Sequence, residues 1–151
     1  MAKHSRKSHV YSAMDIANYV ITYTHSRNKT INNLKLQKIL YFIQAQFLIT
    51  YYEPCFSDAI LAWDAGPIVE SVYNEYKRFG SGSIPITYLT TINDYIQPQD
   101  ADLIKDVVNL CNKYTLTTLT RMIHHQKPWQ MGRIRTPNHI TNDDLYQFFS
   151  T

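Results

Sequence analysis

The chain has 151 residues and a mass of 17.7 kDa, the size of one domain that can bury about two-thirds of its unfolded surface without disulfide or metal staples. Hydrophobic residues at 44%, charged residues at 18%, four glycines and six prolines exclude wholesale disorder and collagen-like or low-complexity architectures. The formal charge of +3 originates in Lys3, Arg6 and Lys7, since from residue 11 onward twelve basic residues balance twelve acidic ones; a protein held on nucleic acid by bulk charge is disfavoured.

In chain order, residues 1–10 read as a mobile basic tail and residues 11–151 as the domain. Ser12 and Asp15 resemble a capping box that opens a helix to about Thr24, with Ala13, Ile16, Ala17 and Val20 as its apolar stripe. A second helix starts at Asn32 or Asn33 and runs to about Tyr52. Leu36, Ile39, Leu40, Ile43 and Phe47 fall on one side, and Tyr41, Phe42, Ala45, Leu48 and Ile49 on the other. A helix apolar nearly all round belongs at the centre of its domain. Lys38 then has to reach water or find a partner, because an uncompensated buried ammonium is costly. The run Ala59–Trp63 suits a strand or an extended segment. Gly66-Pro67 reads as the entry of a third helix carrying Ile68, Val72, Tyr73, Tyr76 and Phe79 and closed by Gly80. Ile84–Ile92 suits a strand or a small hairpin with the Ile60 region. A fourth helix follows Pro98, with Asp100 and Asp102 complementing its dipole and Leu103, Ile104, Val107, Val108, Cys111 and Tyr114 inward. A fifth, from about Thr115, uses Leu116, Leu119 and Ile123 and ends before Pro128. Thr141 and Asp144 cap a last short helix anchored by Leu145, Phe148 and Phe149. The expected fold is mainly α: a single compact helical domain around a central helix, with at most a small β element.

Little in the chain points to catalysis. Cys55 and Cys111 are the only cysteines, and without a Cys-x-x-Cys pair a zinc ribbon or thioredoxin-type site is excluded. Two isolated thiols suit a reducing cytosol. The start of the chain lacks an apolar signal segment, and the apolar run Ile39–Ile43 is too short to span a bilayer. A cytoplasmic, membrane-free protein is expected. Phosphate-loop, His-Glu-x-x-His, Gly-x-Ser-x-Gly and kinase signatures are all missing. His124 and His125 are adjacent and diverge on a helix, so they do not suit one metal. The expectation is a non-enzyme with no cofactor and no metal.

Four ordered segments carry a family resemblance. They are Tyr11–Tyr19 with Asp15-Ile16-Ala17-Asn18-Tyr19; Leu34–Phe42 with Leu36-Gln37-Lys38-Ile39-Leu40-Tyr41; Ala62-Trp63 with Gly66-Pro67-Ile68-Val69 and Tyr73; and Leu119–Trp129 with His124 and Pro128-Trp129. The closing stretch Ile140–Phe149 fits as well. Together they resemble the Panacea domain, the SocA-like antitoxin domain also seen in GepA-type phage-associated proteins. The resemblance implies an antitoxin of a two-gene pair that neutralises a cognate toxin, encoded by a neighbouring gene, through direct protein binding. In the SocA branch the domain also acts as an adaptor to a Clp-type protease. A homo-oligomer is compatible with the same scaffold. The ten residues before the first helix leave no separate helix-turn-helix module, which speaks against transcriptional autoregulation.

The surface expected to bind the toxin is aromatic and basic. Between Asp106 and Asp143 no acid occurs, while Lys113, Arg121, Lys127, Arg133 and Arg135 do. Tyr51, Tyr52, Tyr88 and Tyr95 lie at element ends or in loops. Tyr and Arg dominate interface energetics, so Arg121, Arg133 and Arg135 changed together to Ala are expected to weaken toxin binding and leave the fold intact. Trp63 and Trp129 suit a core with a polar rim or an interface anchor. Lys38, Tyr41, His124 and Trp129 are the best candidates for a polar cluster around the central helix. The competing reading is a phage-associated regulatory or nucleic-acid-binding protein using the Lys113–Arg135 stretch and the tail.

Overall fold

The computed structural model describes residues 6–89 and 94–151. The Ser12 hydroxyl accepts from the Asp15 N–H at 3.1 Å and opens helix α1 (Ala13–Ser26). The Asn32 carboxamide does the same for α2 (Asn33–Tyr51) through the Lys35 N–H at 2.9 Å. Each cap satisfies a first-turn donor that the helix itself cannot. Two short strands follow, β1 (Ile60–Trp63) and β2 (Gly66–Ile68), then α3 (Glu70–Tyr76), which tightens into a 3-10 turn and closes at Gly80 with φ +57°. Beyond these lie α4 (Pro98–Cys111), α5 (Leu116–His124), α6 (Lys127–Arg133), β3 (His139–Ile140) and α7 (Asn142–Phe149). The Thr141 hydroxyl caps α7 through the Asp144 N–H. The fold is mainly helical with one small antiparallel sheet in the order β2-β1-β3.

Helix α2 runs through the middle, touching α1, α3, α4, α5, α7 and β2. Leu36, Ile39, Leu40, Ile43 and Phe47 are wholly buried on one side, and Tyr41 and Ala45 on the other. Each such aliphatic or aromatic side chain contributes about 1.5–3 kcal/mol relative to exposure. Five polar side chains of α2 are buried with them: Asn33, which donates to Tyr73 O at 3.0 Å, and four others that each bond a different surrounding segment. Gln37 accepts from Val69 N–H at 2.8 Å and donates to Asn33 at 2.9 Å. The Lys38 ammonium donates to the Ala65 carbonyl at 2.8 Å. The Tyr41 hydroxyl donates to Gln126 Oε1 at 2.7 Å. Gln44 accepts from Cys55 and Phe56 N–H at 2.9 and 3.2 Å and donates to Phe56 O at 2.8 Å. Lys38 has therefore found a partner inside rather than reaching water.

Several expectations are corrected. Gly66-Pro67 does not open a helix; it forms β2, and α3 starts at Glu70. Residues 63–66 close a two-residue hairpin in which Trp63 pairs with Gly66 and Ala62 with Pro67. Gly66 adopts φ +119°, and a Cβ there would stand 3.2 Å from the Lys38 ammonium, so both conformation and space call for glycine. Pro67 sits on an edge strand, where a missing N–H is tolerated, and the N–H of its partner Ala62 is used by Asn138 O. Of the Ile84–Ile92 segment, Ile84 bonds Ile31 O, residues 86–88 form a 3-10 turn and residues 90–93 lie outside the described residues. The partner of β1 on its other side is β3, from near the far end of the chain.

Residues 6–10 of the expected tail are anchored. Arg6 pairs with Glu53 and, at 2.6 Å, with Asp100, and its guanidinium lies 4.0 Å from the Tyr51 ring centroid. Asp100 is fully buried and also accepts from the Tyr11 hydroxyl at 2.6 Å, so it serves as a docking point more than as a dipole partner. Pro128 does not merely follow α5; it lies in the first turn of α6, as proline tolerates.

Leu40→Ala or Ile43→Ala should each lower unfolding free energy by about 2–5 kcal/mol, read from denaturant titration; a loss below about 1 kcal/mol would remove α2 from the core.

Candidate interaction surface

The hairpin between β1 and β2 exposes a tip, Asp64-Ala65, whose backbone carbonyls are not all served by the ladder. Four consecutive carbonyls are instead served by four side chains. Arg133 Nη1 donates to Ala62 O at 2.7 Å, Trp129 Nε1 to Trp63 O at 3.0 Å, His124 Nε2 to Asp64 O at 3.1 Å and Lys38 Nζ to Ala65 O at 2.8 Å. The donors come from α2, α5 and α6. His124 stacks on Trp129 with centroids 4.2 Å apart and planes at 26°. Arg133 lies over the same indole at 5.6 Å and also pairs with Asp64. Burial is the cause of an unusual lysine: desolvation lowers Lys38 from 10.5 to about 8.

α6 can reach the hairpin because Gly132 faces the sheet. A Cβ there would lie 2.9 Å from Ala62 Cβ and from His139 O, closer than any real side chain sits.

Of the expected polar cluster, Lys38, His124 and Trp129 do converge, with Trp63, Gly66 and Arg133 joining them. Tyr41 lies apart from the carbonyls and holds Gln126, at the α5–α6 junction. Leu36 and Leu40 are core, Gln37 holds the strand–helix link at Val69, and Pro128 is buried. The expected binding residues fall in separate places. Tyr51 is half-buried beneath Arg6; Tyr52, 77% exposed, lies beside Tyr146; Tyr88 packs on Tyr76 and Phe79 and donates to Glu75; Tyr95, 73% exposed, borders a shallow recess with His9 and Gln97. Arg121 is exposed beside His124 and His125. Arg133 holds the hairpin, and Arg135 donates to His139 O and to Asp144 at 2.6 Å. The expectation that all three arginines are dispensable for the fold is thus corrected for Arg133 and Arg135.

A second feature was not foreseen. α4 and α5 splay over α2 and leave an apolar cleft of about 280 Å³, lined by Phe42, Leu103, Val107, Leu110, Tyr114 and Met122 among others. Leu110 is 55% exposed, Tyr114 39% and Met122 37%. The signal lay in the spacing: Leu103, Val107, Leu110 and Tyr114 recur at helical intervals beside the buried Ile104, Val108 and Cys111, giving α4 an apolar arc wider than its core contact needs.

Two outcomes follow. Arg133→Ala should cost about 1–3 kcal/mol in denaturant unfolding because the Ala62 carbonyl loses a charged donor, while Arg121→Ala should change it by no more than about 0.5 kcal/mol; equal effects would refute the clamp. Lys38 is held below its unfolded value, so the unfolded chain binds the extra proton between about pH 8 and 10.5. Its contribution to stability therefore rises with pH across that window. Relative to Lys38→Met, the wild type should gain on the order of 3 kcal/mol between those pH values. A flat difference would mean that the ammonium is not desolvated.

A family model described as antitoxin SocA-like, Panacea domain, matches residues 36–130, more than half of the chain. The match begins within α2, ends within α6, and includes the hairpin with Lys38, His124 and Trp129. Searches for similar curated proteins and solved structures returned no match. The hairpin, Lys38, His124 and Trp129 thus fall inside the matched range and Arg133 just beyond it, and the chain belongs to the SocA-like antitoxin family defined by the Panacea domain.

Proposed function

We propose that this chain is the antitoxin of a toxin–antitoxin pair and neutralises a protein toxin, encoded beside it, by forming a direct complex in the bacterial cytoplasm. The observation that carries the reading is the Panacea-domain match over residues 36–130. The geometry supports a binding role over a catalytic one. Cys55 is buried and desolvation raises its thiol well above the ordinary value, which opposes formation of a nucleophilic thiolate. His124 and His125 both spend a ring nitrogen on backbone carbonyls. No helix among the described residues is long and apolar enough to cross a membrane. Arg133 and Arg135 pair with Asp64 and Asp144, which weakens the basic stretch as a nucleic-acid surface.

Complex formation can end in sequestration or in delivery to a Clp-type protease, and one experiment separates these fates. The neighbouring gene is induced with and without this chain, in normal and Clp-deficient cells. Growth arrest by the neighbour alone, relieved on co-expression, is the expected result. Rescue that persists without the protease, at unchanged toxin level, identifies sequestration; rescue lost with it identifies delivery. A neighbour that is harmless and never co-purifies would overturn the antitoxin reading.

A further inference from the structure

The α4–α5 cleft is an apolar feature that the fold leaves uncovered, and its shape restricts what fills it. Its volume, about 280 Å³, lies at or below the lower end of small-molecule sites, roughly 300–1,000 Å³. Its apolar lining runs lengthwise along the helices. Leu103, Val107 and Leu110 follow one another along about 10 Å of α4, and Tyr114 extends the line past the helix end. Leu119 and Met122 face them from α5, and Phe42 of α2 forms part of the floor. An elongated trough with two helical walls and a helical floor is the shape that receives a third helix, whose apolar residues at i, i+3 or i+4 and i+7 drop between the walls.

Charge narrows the occupant further. Asp106 is the only charged side chain lining the trough; it is exposed and has no ion-pair partner among the described residues. No lysine or arginine lines it. A helix seated there meets apolar walls and one unpaired carboxylate, and the complementary helix is apolar on one face with a cation at its flank.

We propose that the α4–α5 trough is the toxin-docking site, and that its occupant is an amphipathic helix of the toxin carrying a basic residue opposite Asp106. This assignment rests on the antitoxin reading above. It places the principal contact away from Arg133 and Arg135, which the hairpin and α7 use.

The test uses the full chain co-expressed with the adjacent gene product as the probe. Leu110→Asp, Met122→Asp and Asp106→Lys are compared with wild type and with Lys77→Ala, an exposed position after α3, by co-purification, titration calorimetry and toxicity rescue. Thermal melts check that each variant is folded. All three altered side chains are exposed, and Asp106→Lys touches no core contact. The expected result is binding weakened by about tenfold or more for the two Asp substitutions and for Asp106→Lys, little change for Lys77→Ala, and amide protection over residues 103–122 in the complex. A Lys→Asp or Arg→Asp change on the toxin should restore binding to Asp106→Lys. Wild-type binding and rescue by folded trough variants would overturn the site and leave the antitoxin reading standing. Failure of wild type itself to bind or rescue would overturn both. A wild-type homodimer that Leu110→Asp converts to monomer would assign the trough to a second copy of this chain and overturn the toxin-helix assignment.

Discussion

The fold depends on a helix that is buried over most of its surface yet carries polar groups along its length. Gln37, Tyr41 and Gln44 follow one line of α2, and Lys38 lies next to it. Each hydrogen-bonds a surrounding segment: the start of α3, the hairpin tip, the α5–α6 junction and the loop after α2. A satisfied hydrogen bond contributes a net of only about 0.5–1.5 kcal/mol, whereas leaving such a group buried and unpaired costs about 1–3 kcal/mol. The asymmetry means that these groups act more as locks than as glue. Apolar burial holds α2 inside, and a rotation or slip of α2 would break all four connections together.

The sequence makes some of this legible because some of it is local. Side-chain caps at Ser12, Asn32 and Thr141 act over three residues, and a helix apolar all round has one place to go. The hairpin is not local. Gly66 before Pro67 suits a helix start as well as a strand, and the Lys38 ammonium, which would stand 3.2 Å from a Cβ at Gly66, arrives from another element. Pro128 is ambiguous in the same way, since proline both ends one helix and opens the next. β3 has two residues, too few to show any period. The roles of Arg133 and Arg135 were hidden because their acceptors, at Ala62, Asp64 and Asp144, are fixed only by tertiary packing.

The candidate site was half-readable for a related reason. Lys38 stood out among the apolar neighbours of α2, and His124 and Trp129 through the segment that carries the family resemblance, and the structure brings them onto one hairpin. The trough could be read only from excess: Leu110 and Met122 are apolar where the core does not need them. The two features lie on different parts of α5, with His124 turned to the hairpin and Leu119 and Met122 to the trough. A change in the trough wall therefore need not disturb the clamp.

The position of α7 has a consequence for synthesis of the chain. Gln44 of α2 is bonded to Asn142 at 3.3 Å, across 98 residues of sequence, and Phe149 sets its ring against Tyr41 and Phe42. α2 thus leaves the ribosome long before the helix that covers this face has been made. At about 5–20 residues per second, the nascent chain carries an uncovered apolar helix for several seconds. Completion of the core is consequently a late event, because the face of α2 that α7 covers stays open until the last helix has been made.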